Sequence, residues 1–236
     1  MRLDKSPPTI GKMFDLLAPK YDLLNSLITG FNQQKTRKFA LKLLNFTPRK
    51  TILDLATGTG DIAFLLYSNG GEASHIIGLD LSAEMLAIAK SKAKHRGIKK
   101  GLEFLISDAS QLPFPDNTFD CCITAFGLRN FQDPEHVIKE IFRVTKRGGN
   151  FVIVEAVPPI RPAIRFLNYF YLTRLVPLIA KLFSPNPSAY HYLAQSIAAF
   201  LPAPALNELL QKSGWTKTRY FPMLFGTTTV FEGTKP

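Results

Sequence analysis

Residues 54–61, Asp54-Leu-Ala-Thr-Gly58-Thr-Gly60-Asp61, constrain the fold of this chain more than any other stretch. A buried strand, Thr51–Ala56, ends there, the chain turns on two glycines, and a helix begins at Ile62. Glycine has no Cβ, so a ligand can lie directly against the backbone of such a turn. From this point short apolar runs alternate with helical stretches, which predicts βαβ units and a parallel sheet. The further strands are Ile76–Leu79, ending in Asp80, Leu102–Ile106, ending near Asp108, Cys121–Ala125 and Asn150–Glu155. Between them the first helix stops at Gly70-Gly71. Ser82 caps a second, with Glu84 in its first turn and Gly97 at its end. Asp133-Pro134 starts a third, running to about Lys146 before Gly148-Gly149.

Outside this repeat, residues 1–50 read as two helices covering the sheet, and 156–205 as a proline- and aromatic-rich helical insertion. Residues 206–213 form a closing helix, and 215–221 with 227–232 form an antiparallel pair around Pro222 and Gly226. The expectation is one α/β domain spanning 1–236, with a doubly wound core at 51–155. A length of 236 residues suits one large domain. Hydrophobic residues at 46% exclude disorder, and the two cysteines, adjacent at Cys121-Cys122, provide neither a disulfide scaffold nor zinc-ligand spacing. No metal site is expected. No signal peptide is visible, and no uncharged apolar run is long enough to span a membrane, so the expected location is the cytoplasm.

The net charge of +11 is uneven. Residues 1–50 carry +7, residues 51–155 carry −2 and residues 156–236 carry +6. A basic surface attracts nucleic acid, anionic headgroups or anionic substrates, so charge alone does not choose among them.

The acids at the strand ends narrow the choice. Asp54 sits inside the glycine turn, where it can hold loop amides or attract a cationic ligand. Asp80 ends the next strand, the usual place for an acid that binds both hydroxyls of an adenosine ribose. Asp108 can receive an adenine amino group, and Ala109 leaves room for the ring. Gly58-x-Gly60-x-x-Ala63 also satisfies a dinucleotide fingerprint. Against that rival, a pyrophosphate would be repelled by Asp54 and Asp61, whereas a sulfonium ligand would be favoured by them. Arg129, in Phe126-Gly127-Leu128-Arg129-Asn130, follows the fourth strand over the same crevice, where a cation can stabilise an oxyanion; the alternative is a surface arginine paired with Asp133.

DLATGTGD (54–61), Asp80-Leu-Ser-Ala-Glu-Met85, DASQLPFPDNTFD (108–120) and FGLRN (126–130) together resemble the ubiquinone/menaquinone biosynthesis C-methyltransferases. The likeness extends outward to MFDLLAPKYDLLNSLITGF (13–31), to Tyr190-His-Tyr-Leu-Ala-Gln-Ser-Ile197 and to FGTTTVFEGTKP (225–236). The chain departs from the family pattern at Asn32, Ser188, Gln195 and Phe231, among others. The resemblance implies a class I methyltransferase (Rossmann-like) doubly wound sheet with an antiparallel last strand. It implies S-adenosylmethionine held by Asp54, Gly58, Thr59, Gly60, Asp80, Leu81, Met85, Asp108, Ala109 and Phe126. It further implies methyl transfer to a ring carbon of a prenylated quinol, demethylmenaquinol first and a polyprenyl benzoquinol as the alternative. Arg129 is then the candidate for phenolate stabilisation, helped by Tyr21 or Tyr190.

A prenyl tail needs an apolar place. Residues 163–183 combine Phe166, Tyr169, Phe170, Tyr171, Leu172, Leu175, Leu178 and Ile179 with Arg165, Arg174 and Lys181, a composition suited to a greasy tunnel or an anionic membrane surface. The bland alternative is a helix packed on the protein's own core. Two other readings stay open. An RNA methyltransferase would explain the basic flanks, but the aromatics cluster with aliphatics rather than alternating with basic residues, so no nucleic-acid partner is expected. A cofactor-binding scaffold without activity would explain the departures. The oligomeric state is not legible.

Overall fold

The computed structural model describes residues 3–22, 33–178 and 188–236. Its centre is a seven-stranded sheet in the order β3-β2-β1-β4-β5-β7-β6. The strands are β1 (Thr51–Leu55), β2 (His75–Asp80), β3 (Leu102–Ile106), β4 (Phe119–Ala125), β5 (Thr145–Ala156), β6 (Thr216–Met223) and β7 (Thr228–Thr234). The first five are parallel, whereas β7 runs antiparallel to both β5 and β6. The order reverses at β1, flanked by β2 on one side and β4 on the other. Loops leaving β1 and β4 therefore diverge to opposite faces and open a crevice at the carboxyl ends.

Side-chain alternation along these strands builds two cores. Leu53, Leu55, Leu79, Cys122 and Ile153 pack on one face with Ile138 and Ile141 of α5 (Pro134–Val144) and Leu206 and Leu210 of α8 (Ala203–Lys212). Ile52, Ile76, Cys121 and Ile123 pack on the other with Ala40 of α2 (Gln33–Leu43), the adjoining Leu44, and Ile62 and Leu66 of α3 (Asp61–Gly70). The adjacent cysteines thus enter opposite cores. Burial pushes the Cys121 thiol up to about 11 and that of Cys122 to about 12, so both remain protonated.

Local signals set most boundaries. The Ser82 hydroxyl accepts the Met85 amide at 3.1 Å and starts α4 (Ala83–His95); Asp133 accepts the His136 amide at 3.0 Å and starts α5. One boundary differs. Helix α5 ends at Val144, not near Lys146, and β5 begins at Thr145. Gly148-Gly149 is not a helix stop but part of a bulge: Phe119 pairs with Thr145, and two residues later Cys121 pairs with Asn150. The Gly148 amide donates to the Lys235 carbonyl and the Lys235 amide to that of Gly149, so the C-terminal tail captures the segment for the sheet. The closing helix α8 also starts earlier than expected, at Ala203 after Pro202.

Helix α1 (Pro7–Leu17) lies across the carboxyl edge of the sheet, its Gly11 close enough that a Cβ would sit 3.6 Å from Leu81. The insertion contains α6 (Pro162–Phe170), a π-helical turn (Tyr171–Leu175) and α7 (Ser188–Ala198). Leu172, Val176, Ala194 and Ile197 form a small core there. Helix α6 buries none of its residues. Ile179 and Lys181 fall outside the described residues, as does the Asn32 position.

Candidate active site

The crevice at the reversal point holds a cavity of about 250 Å³, roofed by α1 and the turn after it. Two residues at its floor, Ala56 after β1 and Phe126 after β4, adopt the left-handed conformation with φ of 54° and 60°. Strain of this kind persists only where surrounding structure imposes it, and it concentrates at functional sites. Gly127 shows the constraint. A Cβ there would meet Ala56 Cβ at 2.6 Å and Thr124 Oγ1 at 2.9 Å, so the two loops approach too closely for any side chain.

Asp80 forms the polar wall. Its Oδ2 accepts the Gly58 amide at 2.8 Å and its Oδ1 the Ser82 amide at 2.9 Å. Each carboxylate oxygen retains one lone pair, enough to accept two vicinal hydroxyls. Burial raises the Asp80 pKa, and the amides it accepts oppose that shift. Asp108 lines the same cavity after β3 and accepts the Ser110 amide at 2.8 Å, with Ala109, Leu81, Met85 and Val137 supplying apolar surface between the acids and α5. Gly58 has φ of 56°, and a Cβ there would reach only the Tyr21 ring, at 4.0 Å.

Of the residues singled out in the sequence, Gly58, Asp80, Leu81, Met85, Asp108, Ala109, Phe126 and Tyr21 line this cavity. Four do not. Asp54 is buried beneath the loop and accepts the Thr57 hydroxyl at 2.5 Å, and burial pushes its pKa up to about 7. Thr59 donates to Asp22 Oδ1 at 2.6 Å, so it secures the covering segment. Gly60, with φ of 88°, leaves room for the Phe64 ring, which a Cβ would meet at 2.8 Å. The Arg129 guanidinium lies behind the wall and pairs with Glu155 at 2.8 Å, not with Asp133. Tyr190 is on α7, but its side chain is outside the described residues. From the same helix the Tyr192 hydroxyl donates at 3.2 Å to Oδ1 of Asn130, which lines the cavity.

Several contributors were missed. Lys5 reaches the cavity from ahead of α1, donating to the Arg129 carbonyl at 2.6 Å. Asp15 accepts the Ser82 hydroxyl at 2.6 Å, and Asp22 pairs with Lys92 at 2.6 Å, so the two acids clasp the N-terminal segment over the crevice. Glu155 carried a legible signal, since it stands at the end of a strand as Asp80 does.

The geometry also revises the argument against a pyrophosphate. Asp61 is paired with Arg37 at 2.8 Å and faces Lys92 at 3.6 Å, so it contributes little repulsion. What counts against the anion instead is that three loop amides are already committed. Those of Thr57, Gly58 and Gly60 donate to the Leu79 carbonyl, Asp80 and the Thr57 carbonyl, leaving none of the three to cradle phosphate.

The sheet order, the reversed final strands and the acid-walled crevice define a class I methyltransferase fold. Solved structures share it: a methyltransferase in complex with its Trm112 activator from Haloferax volcanii has a TM-score of 0.69 at 19% identity, covering 94% of this chain and 97% of that one. An S-adenosylmethionine-dependent methyltransferase from Aquifex aeolicus gives 0.60 at 20% identity, covering 85% and 89%. The chain belongs to the ubiE/COQ5 methyltransferase family, whose model matches residues 3–235. It is 41% identical to the demethylmenaquinone methyltransferase of Thermus thermophilus, over 95% of this chain and all of the relative. It is 33% identical to the ubiquinone/menaquinone biosynthesis C-methyltransferase UbiE of Geotalea daltonii, over 99% of both chains. Among the described residues no helix is long and apolar enough to cross a membrane, and no group of three or more His, Cys, Asp or Glu side chains could hold a metal ion.

Proposed function

We propose that this chain transfers a methyl group from S-adenosylmethionine to a ring carbon of a reduced, prenylated naphthoquinone, converting demethylmenaquinol to menaquinol. One observation carries the reading: the cavity wall bears acceptors, Asp80 and Asp108, while the Thr57, Gly58 and Gly60 amides of the neighbouring loop are already bonded. That set of acceptors fits a nucleoside whose hydroxyls and amino group donate and which has no phosphate to bind. When bound, S-adenosylmethionine supplies an electrophilic methyl group on a positively charged sulfur.

The protein's own contribution is binding, orientation and exclusion of water. Asp80 takes the ribose hydroxyls on its remaining lone pairs, and Asp108 takes the adenine amino group beside Ala109 and Met85. The Gly58 turn lets the ligand lie against the backbone. Phe14 and Tyr21, whose rings meet edge-on at 6.2 Å, close the roof and keep water from the reacting centre. Arg129 acts from behind the wall: paired with Glu155, it fixes the loop that carries Phe126, Gly127 and Asn130 along the cavity.

The prenyl tail and the basic flanks are accounted for by peripheral contact with an anionic membrane. Phe166, Leu167, Tyr169 and Phe170 of α6 are 50–69% exposed, and Arg161 just ahead of the helix and Arg165 within it are exposed as well. Seven large apolar side chains exposed between Ile160 and Leu178 disfavour the alternative of a helix packed on its own core.

Purified protein given S-adenosylmethionine with short-chain demethylmenaquinol, and in parallel with the corresponding benzoquinol, tests the reading. Methylation of the naphthoquinol in preference to the benzoquinol is expected. Preference for the benzoquinol selects the ubiquinone alternative, and cofactor binding without turnover on either selects the inactive scaffold.

A further inference from the structure

Lys5 is the one Lys, Arg or His side chain on the wall of the cavity among the described residues. A structured turn sets its position. Asp4 accepts the Ser6 amide at 2.9 Å and the Thr9 hydroxyl at 2.7 Å, and Pro7 and Pro8 open α1 directly after. The chain therefore leaves Lys5 fixed in backbone before its side chain is placed. Its Nζ then donates to the carbonyl oxygen of Arg129, in the loop after β4 and away from the β2–β3 wall that carries Asp80 and Asp108.

An ammonium has three donors, and the Arg129 carbonyl uses one. The nearby carboxylate of Glu155 is committed to the Arg129 guanidinium and amide, so Lys5 stands on the wall as a cation with donors to spare. Burial and the Arg129 charge lower its pKa, and Glu155 opposes them. A half-buried cation next to a cationic neighbour is disfavoured unless an anion joins it, and on this wall the anion comes from whatever occupies the cavity.

We infer that Lys5 binds the ring oxygen of the quinol as an oxyanion, an inference that rests on the substrate reading above. The O–H bond breaks with its electron pair left on oxygen, the proton passes to solvent, and the ammonium holds the resulting phenolate. Electron density from that oxygen makes the ring carbon nucleophilic. The role expected from sequence for the Arg129 guanidinium falls to Lys5, and Arg129 positions it through its main-chain carbonyl.

The test uses the full chain saturated with S-adenosylmethionine and two probes: 2-hydroxy-1,4-naphthoquinone, an anion at neutral pH, and neutral 2-methyl-1,4-naphthoquinone. Lys5→Met should weaken the anion by about tenfold or more, the scale of a charged hydrogen bond. It should leave the neutral quinone and S-adenosylmethionine within about twofold, and Lys5→Arg should keep the preference for the anion. Unchanged binding of the anion, or equal loss of both quinones, overturns the inference. So does weaker S-adenosylmethionine binding alone, which would assign the ammonium to the methionyl carboxylate. The parent reading fails separately. If wild-type protein does not methylate demethylmenaquinol but the anion still depends on Lys5, the oxyanion site stands and the substrate is a different acidic ring hydroxyl.

Discussion

Arg129 Nη1 lies 2.8 Å from Glu155 Oε1, and the second oxygen of that carboxylate accepts the Arg129 main-chain amide at 3.0 Å. One buried acid therefore fixes both the side chain and the backbone of the residue whose carbonyl receives Lys5. Glu155 is wholly buried and Arg129 nearly so. Removing the arginine leaves a negative charge in the interior without its partner.

Arg129→Ala should accordingly cost about 3–5 kcal/mol of folding stability, the scale for breaking a buried pair. Replacing both residues with methionine should recover most of that loss. Urea denaturation of the single and double variants checks this, and a single variant as stable as wild type would show that the pair has no structural part.

Asp80→Asn replaces one acceptor oxygen with an amide nitrogen, which has no lone pair to offer the Gly58 or Ser82 amide. Losing a hydrogen bond to a charged acceptor costs about 1.5–3 kcal/mol. Calorimetry should find S-adenosylmethionine bound roughly 10- to 100-fold more weakly. Undiminished affinity would move the ribose elsewhere.

Gly127→Ala introduces a methyl 2.6 Å from Ala56 Cβ, between two loops that both carry left-handed residues. Overpacking of this kind costs about 1–3 kcal/mol. Because the displaced loops form the cavity floor, cofactor affinity and turnover should fall together with the melting temperature. Full activity in a folded variant would count against a tightly shaped floor.

Asp54 has a folded-state pKa raised by burial from an ordinary 3.8 to about 7. Below the ordinary value both states are protonated and the group costs nothing. As pH rises toward 7 the unfolded chain releases this proton and the folded chain keeps it, so stability falls by up to about 1.4 kcal/mol per pH unit. Asp54→Asn removes that slope. Its stability relative to wild type should therefore grow between about pH 4 and pH 7 and level off above, whereas parallel curves in denaturant titrations would contradict the raised pKa.

Vesicle flotation examines the α6 surface. Protein should float with anionic vesicles at low salt and be released as salt screens Arg161 and Arg165. Phe166→Ser with Phe170→Ser should abolish flotation while leaving the fold intact, since neither side chain is buried. Wild-type protein absent from the lipid fraction at low salt would exclude membrane contact.

Features written in a few neighbouring residues were legible in the sequence. Ser82 and Asp133 announced their helices, Leu102–Ile106 its strand, and Asp80 and Asp108 their place on one rim. Relationships spanning the chain were not. The Gly148-Gly149 bulge depends on Lys235, some ninety positions away, and nothing local distinguishes it from a helix stop. Lys5, Asp15 and Asp22 join the site only because α1 folds back over the crevice. Thr59 and Gly60, expected from the motif to meet a cofactor, lie off the cavity lining: the Thr59 hydroxyl bonds Asp22, and Gly60 leaves room for the Phe64 ring.

Transfer of a methyl group to carbon can be followed with S-adenosylmethionine carrying a ¹³C-labelled methyl and reduced demethylmenaquinone of short tail. Carbon NMR of the extracted quinone should show the label as a methyl bonded to a ring carbon, in the wild-type protein and not after Asp80→Asn at limiting cofactor. Label found on a ring oxygen, or none in the quinone while the cofactor is bound, would show that this protein is not a quinol C-methyltransferase.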